Sequence, residues 1–338
     1  MKRGTKNNLP PLAFLIAVLC FSLSSLFVPT KIVSSTLPFQ IYSNQTEQNL
    51  EKTVLDYINQ AQTSIVVSTF GEVNSSVLDA LEEKALKGVD VTLHYDAKTF
   101  PDFPKNPLNF KIVGHKVRGL MHQKILAIDG ESLLLGSTNL TNSSFKMHDN
   151  LLLGLHSREV TEKIIDQLSH RDYLAVIEET FADAHFLFWS LPGLGKPALN
   201  DLIRAIDQAK ESIDCLVFTF THPKITQALS AAMRRGVSVT LTVDKKSVKG
   251  ASKEAVETIR KLGATIYVNS HPGLMHHKMG WIDQEIFFFG SANWTKAAFE
   301  KNRDYLIRLD HLSPTFKKEL SSLYRAVEKN RKPYRANQ

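Results

Sequence analysis

Apolar positions along the chain change period in a fixed order. Leu50, Val54, Tyr57, Ile58 and Ala61 stand at helical spacing and lead into the run Ile65-Val66-Val67-Ser68-Thr69-Phe70, which reads as a strand. Val77 to Leu86 then reads as a helix, and Val89 to Asp96 as a second strand. Strands alternating with helices predict an α/β protein in which helices cover a sheet.

The same order is written a second time. Ile58–Ile65 (INQAQTSI) aligns with Ile206–Ile213 (IDQAKESI) at an offset of 148, and Lys87-Gly88-Val89 with its VTLHYD run aligns with Arg235-Gly236-Val237 and VTLTVD at the same offset. Gly119-Leu120-Met121-His122-Gln123-Lys124 aligns with Gly273-Leu274-Met275-His276-His277-Lys278 at an offset of 154. A body written twice predicts two similar α-β-α sandwich lobes, each a β-sheet flanked by helices. The Pro- and Gly-rich stretch 191–197 breaks both periods, so the expected lobes are 31–190 and 198–338, with 191–197 as linker.

Residues 1–30 carry a different pattern. Lys2, Arg3 and Lys6 precede an apolar run from Leu12 to Val28, closed by Pro29 and Lys31, the form of a signal peptide or an N-terminal membrane anchor. A secreted, periplasmic or membrane-anchored body is the expectation. The net charge of +7 and a pI near 9.2 favour anionic partners, although three of the positive charges lie in this leader. Two cysteines, Cys20 and Cys215, exclude a disulfide framework.

The chemistry sits in the aligned blocks. The first copy holds His122, Lys124, Asp129, Gly136, Ser137 and Asn139; the second holds His276, Lys278, Asp283, Gly290, Ser291 and Asn293, at identical internal spacings. A histidine and a lysine two apart on a strand share a face, which lets an imidazole and an ammonium address one phosphate. Apolar runs on either side of Asp129 and Asp283 read as adjacent buried strands joined by polar turns, so these aspartates are expected to be structural. The Gly136-Ser137 and Gly290-Ser291 steps let the backbone approach an anion, with Ser137, Ser291, Asn139, Asn293 and the two lysines as phosphate-binding groups. Two histidines from two lobes suit a two-step displacement at phosphorus, one attacking and the other serving as acid and then base.

These H-x-K-x4-D-x6-G-S signatures with a nearby asparagine resemble those of the phospholipase D superfamily, and the resemblance covers nearly everything after the leader. It implies two lobes about a pseudo-twofold axis with the active site at their interface. It also implies a phosphohistidine on His122 with His276 as acid, or the reverse, and an acid about 28 positions after each histidine to orient its ring. Asp149 and Asp304 take that role here. No cofactor is expected. His271, His276 and His277 lack a cysteine or second spaced ligand pair, so no metal is expected either. His115, His148, His156, His170, His185, His222 and His311 are assigned to surface or core.

The motif specifies a phosphodiester bond rather than what hangs from it. A phospholipid substrate at a membrane surface is the first expectation; an exported nuclease acting on nucleic acid is its rival, a phosphatidyl-transferring synthase a third, and a catalytically silent phosphate-binding module the reading from another class. One chain already holds both motifs, so a monomer can own a complete site.

Overall fold

The computed structural model describes Met1 and residues 39–335 apart from 105, 170–173 and 183. The apolar leader, Cys20 and His170 fall outside the described residues, and among those described no helix is long and apolar enough to cross a membrane.

The first half runs β1 (Phe39–Ser43), α1 (Leu50–Gln60), β2 (Ser64–Thr69), α2 (Ser75–Leu86), β3 (Asp90–Asp96), β4 (Lys111–His115), β5 (Ile125–Ile128), β6 (Ser132–Gly136), α3 (Asn142–Lys146), β7 (Leu151–His156) and α4 (Arg158–Ser169). The second runs β8 (Ile177–Phe181), β9 (Ala184–Ser190), α5 (Gly195–Gln208), β10 (Ser212–Val217), α6 (Pro223–Arg234), β11 (Ser238–Val243), α7 (Lys245–Lys249), α8 (Lys253–Lys261), β12 (Thr265–Asn269), β13 (Lys278–Ile282), β14 (Ile286–Gly290), α9 (Lys296–Glu300), β15 (Tyr305–Asp310), α10 (Pro314–Lys329) and β16 (Arg331–Pro333).

Strand order is β1-β7-β6-β5-β2-β3-β4 in the first sheet and β16-β12-β11-β10-β13-β14-β15-β9-β8 in the second. The six repeated strands therefore keep one order in both lobes, with β2, β3 and β4 parallel and the rest antiparallel. Each lobe is a mixed α/β sandwich. The expected boundary moves, however. β9 pairs with β15 as β1 pairs with β7, so residues 177–190 belong to the second sheet. The Pro192-Gly193 turn connects β9 to α5 within the second lobe, and Gly195 to Pro197 already form the first turn of that helix. A break in periodicity marks a turn; only strand pairing tells which sheet its flanks join.

The repeated strands are apolar on both faces because both faces are covered. In β5, Ile125 and Ala127 point to a core shared by the two sheets, whereas Leu126 and Ile128 pack with Leu50, Val54 and Ile58 of α1. The same alternation holds in β14, where Phe287 and Phe289 enter the shared core and Phe288 packs under α5 and α6. The Phe186-Leu187-Phe188-Trp189 patch lies in β9, with Phe186, Phe188 and Trp189 buried. Residues 37–338 thus form one compact unit with its sheets face to face.

Contact between the lobes is closest at two equivalent glycines. A Cβ on Gly119 would lie 2.6 Å from the Lys301 carbonyl oxygen, and one on Gly273 would lie 1.6 Å from that of Met147. Backbone cannot yield as a side-chain tip can, so Gly273→Ala and Gly119→Ala should each destabilise the fold by roughly 1–3 kcal/mol. Thermal denaturation monitored by circular dichroism checks this; an unchanged melting temperature in both variants would show that the lobes do not meet there.

Candidate active site

The two histidine loops are held by the opposite lobe. Leu120 accepts a backbone hydrogen bond from Arg303 at 2.7 Å, and Arg303 in turn accepts one from His122 at 2.7 Å. The second lobe repeats the exchange, with Asp149 donating to Leu274 at 2.8 Å and His276 donating to Asp149 at 3.0 Å. Within each lobe a buried aspartate pins the residue before the histidine: Asp96 accepts from the Met121 amide at 2.6 Å, and Asp244 from the Met275 amide at 3.1 Å. Sequence reasoning missed Asp96 and Asp244 as site supports, although both close the repeated VTLHYD and VTLTVD runs.

Each imidazole meets its orienting partner across the lobe interface. His122 Nδ1 lies 2.8 Å from Asp304 Oδ1, and His276 Nδ1 lies 2.9 Å from Asn150 Oδ1. An ionised carboxylate only accepts, so His122 carries its proton on Nδ1 and presents a free Nε2. Asn150 is fixed the same way round, because its Nδ2 donates to the Ser144 carbonyl at 2.9 Å and reaches the His148 carbonyl at 3.3 Å. Its oxygen therefore faces His276, which also donates from Nδ1.

Here the expected assignment of Asp149 is corrected. The Asp149 carboxylate pairs through Oδ2 with His271 Nε2 at 2.5 Å, and the His276 imidazole takes Asn150 as its partner instead. Asn150 stands 28 positions after His122, as Asp304 does after His276, whereas Asp149 stands 27 positions after it. Ser137 and Ser291 are likewise displaced from the phosphate role. Ser137 Oγ donates to Asn150 Oδ1 at 2.9 Å and accepts from the Leu151 amide, while Ser291 Oγ donates to Asp304 Oδ1 at 2.7 Å and accepts from the Tyr305 amide. Both hydroxyls are used up in supporting the orienting residues. Gly136 and Gly290 serve strand pairing rather than anion approach, since a Cβ on either would meet the carbonyl oxygen of Leu151 or Tyr305 at 2.0 and 2.5 Å.

Asp129 and Asp283 sit at the far ends of the strand pairs, at φ of 53° and 51°. Asp129 accepts from the amides of Gln62, Thr63 and Ser64, and Asp283 from those of Lys210, Glu211 and Ser212, so both cap the entry to β2 and β10. His122 and His276 lie just ahead of β5 and β13 rather than within them.

Lys124 and Lys278 are buried, and each Nζ donates to the carbonyl of its own histidine, at 2.5 and 2.6 Å. Burial pushes the Lys124 ammonium down to about 7 despite Asp304, and burial together with Lys124 lowers Lys278 well below its ordinary range. Burial and the lysines also lower His122 and, further, His276. Burial works to raise Asp304, yet His122, Lys124 and Ser291 hold its carboxyl below the usual range. Phe70 and Phe218, also missed in the sequence, flank the pair: Phe70 stands 5.1 Å from the His122 ring and Phe218 5.2 Å from the His276 ring. Asn139 and Asn293 each leave the carboxamide oxygen buried without a hydrogen-bond partner, a costly state repeated in both halves. His271, His276 and His277 turn three ways, to Asp149, Asn150 and Gln45.

A family described as "Cardiolipin synthase, PLD-like domain" matches residues 54–171 and 202–326, one copy in each lobe. The chain belongs to the phospholipase D superfamily. Human mitochondrial cardiolipin hydrolase is 32% identical over 113 residues, covering 33% of this chain and 44% of that protein. Phospholipase D of Rickettsia conorii is 30% identical over 105 residues, 31% of this chain and 52% of the relative. The chain thus spans about half the length of these curated relatives. Phosphatidylserine synthase of Haemophilus influenzae Rd KW20 superimposes with a TM-score of 0.70 over 88% of this chain and 87% of that one, at 11% identity, a likeness of fold.

This phospholipase D-type site makes the protein sensitive to acid. His122, His276 and His277 are held below the ordinary histidine value, His277 at about 3, so below pH of about 6.5 the unfolded chain binds protons that the native state excludes. Lys124 and Lys278 act in the same direction above neutrality, because their native ammoniums deprotonate first. Asp149, Asp214 and Glu319, whose carboxyls burial raises, oppose them at the acid end. Stability should therefore rise as pH rises toward about 6.5, by up to about 1.4 kcal/mol per unit for each histidine that stays neutral in the native state, and rise again above about 7 as the native lysines deprotonate ahead of the unfolded chain. Urea denaturation at a series of pH values measures it; a flat or falling profile would show that the site titrates freely in the native state.

Proposed function

We propose that the protein is a phosphodiesterase that works through a phosphohistidine on His122, with phospholipid as its substrate. The observation that carries this reading is the crossed pair of oriented imidazoles around two buried ammoniums, His122 on Asp304 and His276 on Asn150. His276 takes up a proton on Nε2 as the anionic phosphodiester binds; His122 Nε2 then attacks phosphorus while the His276 imidazolium returns that proton to the departing alcohol oxygen. Water then attacks the phosphohistidine, gives its proton to His276, and releases His122 with a phosphomonoester. Lys124 and Lys278 balance charge on the non-bridging oxygens throughout.

The difference between the two orienting groups supports assigning the first role to His122. Asp304 stabilises the positive charge that His122 acquires as the N–P bond forms. Asn150 is neutral, and His276 faces both lysines, so its imidazolium is a strong acid suited to a poor leaving group. The named relatives support a lipid substrate through their own descriptions, cardiolipin hydrolase and phospholipase D.

His122→Ala and His276→Ala should each lower turnover at least about a thousandfold, the scale of losing a nucleophile or a general acid–base group. With a p-nitrophenyl ester the leaving group needs no acid, so His276→Ala should release one equivalent and stop with phosphorus on His122. Mass spectrometry of the stalled enzyme locates the adduct; an adduct on residue 276 in the reciprocal variant would reverse the roles. The substrate is settled with phosphatidylcholine and cardiolipin vesicles in ethanol and EDTA, run beside single- and double-stranded DNA. Phosphatidylethanol is the expected product, and DNA cleavage alone would replace the lipid reading with a nuclease.

A further inference from the structure

Phe70 and Phe218 follow β2 and β10 directly, at the repeat offset of 148, and both are partly exposed. Lys124 Nζ lies 5.4 Å from the centroid of the Phe70 ring, and Lys278 Nζ lies 5.1 Å from that of Phe218. Among the described residues neither lysine has a carboxylate within ion-pair distance. Their charged neighbours are each other and Asp304, with Asp244 also facing Lys278, while His122 and His276 carry the carbonyls to which they donate.

We propose that Phe70 and Phe218 are positioning residues that hold the Lys124 and Lys278 ammoniums charged and aimed, ready for an anionic phosphoryl group. The inference rests on reading the site as a phosphodiester site and adds what keeps its cations in place before substrate arrives. A ring face attracts an ammonium and does nothing comparable for a neutral amine. Burial and mutual repulsion lower the proton affinity of both lysines, the ring faces act against that loss, and one carbonyl bond each does not distinguish NH3⁺ from NH2. Twofold repetition of the contact, in loops where the flanking residues differ, argues against incidental packing.

The test measures sulfate binding by calorimetry across the neutral and alkaline range, because sulfate keeps its charge there and reports only the protein's protons. The full chain is compared with Phe70→Leu and Phe218→Leu, which fill the space without a π face, and with Phe70→Tyr and Phe218→Tyr, which keep it. The pH at which sulfate binding is half lost should fall by about half a unit to one unit in each leucine variant and return in each tyrosine variant. The alkaline limb of kcat/KM for bis(p-nitrophenyl) phosphate should move with it, since that limb reports the free enzyme. Equal weakening at every pH with no shift of the midpoint, or a tyrosine variant that behaves like leucine, would overturn the proposal. Wild-type protein that binds sulfate with the expected midpoints and cleaves no phosphodiester would overturn the reading of function while supporting the lysine–phenylalanine pairing.

Discussion

Everything at this site depends on a reciprocal exchange of backbone hydrogen bonds between the lobes. The Leu120–His122 strip pairs with Arg303, and the Leu274–His276 strip pairs with Asp149. Each exchange places a histidine one residue from the other lobe's orienting position, so the bond that joins the lobes also delivers Asp304 to His122 and Asn150 to His276. Neither lobe by itself holds an oriented imidazole. The exchange needs close approach, which explains why both strips begin at a glycine whose missing Cβ admits the partner's carbonyl.

On this twofold frame the side chains are unequal where chemistry needs them to be. Asp304 faces Asn150 across the pseudo-twofold, and Arg303 faces Asp149. Arg303 reaches His115 at 2.9 Å while Asp149 reaches His271 at 2.5 Å, so one exchange is braced by a cation and the other by an anion. A duplicated scaffold supplies two nearly identical imidazoles; a carboxylate-for-amide difference helps to separate their proton affinities, since Asp304 raises that of His122 while the charges facing His276 only lower it. That is the usual way two like groups acquire opposite acid–base roles.

Much of this was legible in the sequence because it was written twice. Spacing shared by the two copies located both histidines, both lysines and the strand pairs around Asp129 and Asp283 without any structure. Where the sequence and the structure differ, residue type competes with register: a carboxylate is the expected partner of an imidazole, which points to Asp149, whereas Asn150 holds the repeated position. Hydroxyls beside such a motif read as phosphate ligands, and sequence does not show that Asn150 and the Leu151 amide already engage Ser137, or that Asp304 and the Tyr305 amide already engage Ser291. The boundary near 191 was misplaced for a different reason. Strand β9 and its partner β15 are separated by more than a hundred residues, and no local pattern reports a pairing at that distance.

The supports around the site also explain why its central charges can exist. Two buried ammoniums that repel each other and have no ion-pair partner among the described residues raise the free energy of the native state, and the buried neutral histidines add to that cost at low pH. Backbone carbonyls, ring faces and the carboxylates of Asp304 and Asp244 offset part of it. The remainder is positive potential directed at one point, which an incoming phosphodiester meets without further rearrangement. The apolar lobes, packed on both faces of both sheets, supply the stability that lets this arrangement stay folded while unsatisfied. Cohesion therefore resides in the shared core, and reactivity resides at the one seam where that core stops and the two lobes trade hydrogen bonds.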